Sequence, residues 1–102
     1  MRNLISCVLL LFSSVIASAE DQLTSAVAAV EADVVFMRHA LAPGFGDPAN
    51  FALDNCDTQR NLDSVGRQQA SSIGVEMRQS KTQFAEVLSS EWCRCKETTE
   101  LL

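Results

Sequence analysis

The stretch Asp33-Val34-Val35-Phe36-Met37-Arg38-His39-Ala40 decides how this chain is read. A continuous β-branched and aromatic run that ends abruptly in charge predicts a short strand over about 33–38. Such a run fits a strand of a parallel sheet, buried on both faces. Parallel sheets gather chemistry at the carboxyl ends of their strands, where sheet gives way to loop. Arg38 and His39 stand at that end, and His39 is the only histidine in 102 residues. An arginine offers a permanent forked charge that suits phosphate oxygens, and an imidazole beside it is a candidate nucleophile. The pair points to phosphoryl chemistry.

The residues downstream continue the pattern. Residues 40–61 contain Pro43, Pro48, Gly44 and Gly46 and read as a long loop. A loop of this length, hung from a strand that ends in Arg-His, is expected to be functional. Gly44-Phe45-Gly46 lacks the third glycine of a dinucleotide fingerprint, and prolines flank it where a helix would start, so these glycines are turn formers. Asp63 or Ser64 is a good N-cap for a helix over about 63–80. Val65, Ala70, Ile73, Gly74 and Met77 fall on one side of it, and Arg67, Gln68, Ser71 and Arg78 mostly on the other. Ala85-Glu86-Val87-Leu88 predicts a second strand over about 85–89, broken by Ser89-Ser90, and a last helix over about 91–102. Strand, loop, helix, strand, helix is the opening of an α/β fold with a parallel sheet. Arg94 would then lie in the first turn of the last helix, whose free backbone N–H groups favour anions. If the two strands are parallel neighbours, Arg94 converges on His39.

The amino end has a different character. Met1-Arg2-Asn3 is a short positive start, Leu4 to Ile16 is almost wholly apolar or small, and Ala17-Ser18-Ala19 has the A-x-A form of a cleavage site. This is the pattern of a secretory signal peptide over 1–19, too short and wrongly flanked for a stable membrane anchor. The implied location is periplasmic or extracellular. Residues 20–32 form a lead-in segment with loose helical spacing (Leu23, Val27, Val30), and 33–102 form one small domain. Cleavage would remove Arg2 and leave seven basic residues against thirteen acidic ones, a net charge of −6. So acidic a surface argues against nucleic acid or an anionic membrane as partner. Cys56, Cys93 and Cys95 would remain after loss of Cys7. In an exported protein that odd number suggests one disulfide and a spare thiol. Cys93 and Cys95 are two residues apart and point to different sides of a helix, so Cys56 is expected to pair with one of them, Cys93 or Cys95. Three thiols without C-x2-C spacing do not fit the usual zinc patterns, and no metal site is expected.

Three blocks in order, taken together, resemble the histidine phosphatase superfamily, also called phosphoglycerate mutase-like. They are the strand with Arg38-His39, then Arg60-Asn61-Leu62 followed by Gly66-Arg67-Gln68-Gln69-Ala70, then Ser89-Ser90 with Arg94 and Thr98. The resemblance covers residues 33–102 and the amino-terminal half of that domain. It implies a three-layer α/β fold and a metal-independent hydrolysis of phosphate monoesters without a cofactor. It implies that His39 is the nucleophile, phosphorylated on a ring nitrogen, and that Arg38 and Arg94 bind the phosphoryl oxygens, with Arg60 lining the pocket. The partner would be a phosphorylated small molecule or another phosphate monoester. The family's usual glycine after the histidine is Ala40 here. Its second histidine has no counterpart in this sequence, nor has its usual acid, which leaves Asp47, Asp54 and Asp57 as local carboxylates that could donate a proton. The alternatives are a non-catalytic phosphate-binding or interaction module and an inactive fragment.

Overall fold

A computed structural model of the chain describes residues 19–80 and 82–102. Its elements are α1 (Ala19–Ala29), a single 3-10 turn (Cys56–Thr58), α2 (Ser64–Gln79) and α3 (Cys93–Leu101). The signal peptide expected over 1–19 lies outside the described residues, save Ala19, which opens α1. Helices α1 and α3 both lie against α2. After α1 the chain turns through Glu31 at φ +48°, a left-handed position more often held by glycine.

Among the described residues there is no strand and no sheet. The parallel α/β three-layer fold expected from the sequence, with strands at 33–38 and 85–89, is therefore corrected. A strand exists only through hydrogen bonds to a neighbour, and neither segment has one. Val34, Val35, Phe36 and Met37 are 65, 45, 95 and 43 % exposed, and Val87 and Leu88 are 60 and 79 % exposed. Segments whose composition asks for cover on both faces have it on neither. One isolated β-bridge, Ala52 with Asn55, belongs to a turn inside the long loop.

Helix α2 organises what packing there is. Asp63 caps it, its carboxylate accepting from the Gly66 N–H at 2.8 Å, a contact that stabilises a helix by about 1 kcal/mol. Its buried positions are Gly66, Ala70 and Gly74, four residues apart and thus stacked on one face. Val65, expected on the buried side, is 57 % exposed, and Ile73 and Met77 are only half-buried. Close approach explains the preference for small residues. A Cβ on Gly66 would lie 2.0 Å from the Leu41 carbonyl oxygen, and one on Gly74 would lie 2.1 Å from that of Leu102. The long loop and the end of α3 are therefore laid directly on the α2 backbone. Ala40, Ala42, Leu62 and Ala70 form the buried apolar cluster, with Leu101 packed against it.

Helix α3 starts at Cys93, two residues later than expected, because Trp92 is extended (φ −61°, ψ 133°) and offers no side-chain cap. Gln59 supplies part of that function from the loop. Its side-chain oxygen accepts from the Cys93 N–H at 2.9 Å while its amide donates to the Ala52 carbonyl at 2.8 Å. The Cys56–Cys93 disulfide joins the same two places covalently, and Cys95 is free.

Candidate functional site

Arg60 and Arg94 meet through the loop and α3, and the backbone next to His39 is tied to the same helix. His39 is half-buried, and Ala40 beside it is buried. The Ala40 N–H donates to the Thr98 hydroxyl at 3.0 Å, and that hydroxyl donates to the Arg94 carbonyl at 2.7 Å. Thr98 thus ties the backbone next to His39 to the turn of α3 that carries Arg94. Sheet geometry, absent here, is not what relates the two.

Arg94 is buried, an uncommon state for a charge without a partner. Asp47 supplies one, with Arg94 Nη1 and Asp47 Oδ1 2.9 Å apart and both side chains 10 % exposed. The same guanidinium nitrogen also donates to the Arg60 carbonyl at 3.3 Å. The cation lies over the Trp92 ring, 4.4 Å from its centroid, and Phe51 packs against Trp92 at a centroid separation of 4.9 Å. The Nε–H of Arg94 is buried and has no acceptor. An orphaned charged donor is costly and is a contact waiting for an acceptor.

Arg60 wraps the loop. Its Nε donates to the Gly46 carbonyl at 2.8 Å and its Nη1 to the Ala42 carbonyl, while its backbone N–H donates to Asp47 Oδ1 at 2.9 Å. Gly44 (φ +89°) and Gly46 (φ +65°) make this wrap possible, since both occupy backbone conformations that side chains strain. Asp47 Oδ1 therefore sits between an arginine backbone N–H and an arginine guanidinium. These contacts, the Arg60 N–H first and Arg94 next, hold its carboxyl below the usual carboxylate value, with burial opposing them. A carboxylate so held is a poor proton donor. Asp54 and Asp57, the other candidate acids, are exposed on the loop.

Arg38 stands apart. It is exposed, and among the described residues no hydrogen bond or ion pair holds it. Arg60 and Arg94 share one hydrogen-bonded assembly through Asp47, and Ala40, next to His39, joins it through Thr98. Among the described residues the His39 ring contacts only the Ala40 carbonyl, and Arg38 lies outside the assembly. Nothing in the sequence marks Gln59 or Trp92 as part of the site; Thr98 belongs to the third block of the resemblance without a stated role, and Asp47 stands there only as a possible acid. A surface hollow of about 460 Å³ lies elsewhere, lined by the disulfide, Asn61, Arg67, Lys96 and Glu97 among others. None of His39, Arg38, Arg60 or Arg94 lines it, so its size alone does not make it the site.

No family model, no curated protein and no solved structure matches this chain.

Proposed function

We propose that His39 is the nucleophile of a phosphate monoester hydrolysis that passes through a phosphohistidine, as in the histidine phosphatases that the sequence resembles, and that the protein works after export. One observation carries this reading. His39 Nδ1 lies 2.6 Å from the Ala40 carbonyl oxygen. A carbonyl only accepts, so the contact is a hydrogen bond when Nδ1 carries the proton, and in the neutral ring Nε2 is then left with its lone pair. That is the tautomer a nucleophilic histidine needs.

In the first step Nε2 forms a bond to phosphorus as the ester P–O bond breaks, and the departing oxygen takes up a proton. In the second, water attacks phosphorus, the N–P bond breaks, and phosphate leaves with the imidazole restored. Arg60 reaches the Ala42 carbonyl and the backbone of Arg94 is tied through Thr98 to Ala40, so in this reading these two arginines offset charge on the transferring group. Arg38, adjacent in sequence and uncommitted, adds a third. The substrate class is a phosphorylated small molecule or other phosphate monoester, and an acidic chain does not favour nucleic acid.

The orphaned Arg94 Nε–H supports anion binding with or without turnover, and so also favours a second reading, a phosphate-binding module. Trapping separates the two. With a labelled reactive phosphate monoester and an alkaline quench, an acid-labile adduct on His39, lost in His39→Ala, is expected. Folded protein that binds phosphate without forming the adduct would leave the binding module.

A further inference from the structure

The Asp47 carboxylate occupies a seat built for an anion. Its Oδ1 accepts from two arginines at once, from the Arg60 backbone N–H and the Arg94 guanidinium, each at 2.9 Å. Both bonds fall on one oxygen, and the Arg94 side chain is nine-tenths buried around them. The seat is not saturated, because Arg94 Nε–H is buried beside it without an acceptor. A group with three or four acceptor oxygens could use that donor as well as the two that Asp47 already holds.

The loop segment that delivers Asp47 is preceded by Gly44 and Gly46, both at positive φ, the two residues where its backbone can most easily turn. Phe45 between them is fully exposed, and a Cβ on Gly46 would meet nothing within 4 Å. Withdrawing Asp47 therefore uncovers almost no apolar surface. It breaks charged hydrogen bonds that an incoming anion would replace; a turn at Gly46 also disturbs the Arg60 Nε bond to the Gly46 carbonyl, whereas the Arg60 bond to the Ala42 carbonyl lies before the hinge.

We propose that Asp47 is an internal competitor for the phosphoryl-binding seat: a phosphate group binds Arg94 and the Arg60 N–H only by displacing the Asp47 carboxylate, with Gly44 and Gly46 as the hinge. The proposal rests on the phosphoryl reading only for the identity of the anion, since it requires binding and not turnover. Two like charges repel in one seat, so removing the carboxylate charge should tighten phosphate binding by about tenfold or more.

The test is a titration of the full, oxidised chain with inorganic phosphate, followed by nuclear magnetic resonance. In the unsubstituted protein, phosphate is expected to shift the Arg94 Nε–H and the Arg60 backbone N–H together, with the Asp47 side-chain carboxyl carbon moving at the same midpoint. Asp47→Asn, which keeps the shape and loses the charge, is expected to bind phosphate at least tenfold tighter. The proposal is overturned if phosphate shifts Arg94 Nε–H while Arg60 N–H and Asp47 stay in place. It is equally overturned if Asp47→Asn binds no tighter than the parent, or if neither protein binds phosphate. Should Asp47→Asn fail to fold, the titration of the unsubstituted chain decides alone. A missing phosphohistidine would refute the hydrolytic reading and leave this result untouched.

Discussion

Asp47 shows how one side chain can hold a loop and an arginine at once. Because its carboxyl is held below the usual value, the native chain binds fewer protons there than the unfolded chain does. The stability this contributes is complete above the unfolded carboxylate value, near 3.8, and is lost as pH falls through the lower native value. Trp92 is the only tryptophan, and its ring lies under the Arg94 cation. Acidification through that lowered native value, below 3.8, is therefore expected to release Arg94 and to change Trp92 fluorescence. Asp47→Asn is expected to lack that step, and an unchanged acid transition would show that some other carboxylate drives it. The sequence made local contacts legible and distant ones not. The Asp63 cap spans three residues and is written in one short string. Asp47 and Arg94 are 47 residues apart, and nothing near either residue says that they meet.

At the scale of elements, α2 was legible because its cap and its period lie within one stretch of chain. Of the face that periodicity gives, Ala70 and Gly74 are buried, Ile73 and Met77 are half-buried and Val65 is exposed, while Gly66, outside that set, completes the buried row. The available signal was the spacing of small residues every four positions. Gly66→Ala tests the point. Alanine improves helix propensity by about 1 kcal/mol, but its Cβ would meet the Leu41 carbonyl oxygen at 2.0 Å, and backbone cannot swing aside as a side chain can. Overpacking of this kind costs about 1–3 kcal/mol, so a net loss of stability is expected, read as a lower urea midpoint. A midpoint at or above the parent's would show that the loop does not press on α2. Composition alone makes strands of the two apolar runs, and composition states only what a segment would do with a partner. Pairing is a property of two segments, and neither run has a neighbour here.

For the molecule as a whole, the cluster of Ala40, Ala42, Leu62 and Ala70 contains only one large side chain. Burial on that scale contributes little, and a small domain leans on its crosslinks. The Cys56–Cys93 disulfide spans 37 residues and joins the long loop to the start of α3. Cys56→Ser is expected to cost roughly 2–5 kcal/mol and to loosen the Gln59 contact with Cys93. Urea unfolding followed through Trp92 would check this, and an unchanged midpoint would show that hydrogen bonds alone hold the loop to α3. That one disulfide links Cys56 to Cys93 or Cys95 could be anticipated from the odd number of thiols and the two-residue spacing. That Gln59 stands beside it, holding the same junction, could not.

The uncovered runs have a consequence beyond architecture. Val34–Val35–Phe36–Met37 and Val87–Leu88 are apolar, rich in β-formers and free of proline, and they face outward. Segments of that kind stick to one another and template aggregation. They are also what holdases and quality-control proteases recognise as unfinished protein. Left uncovered, these two segments are expected to limit how long the chain stays soluble and intact, whatever the strength of the bonds within it.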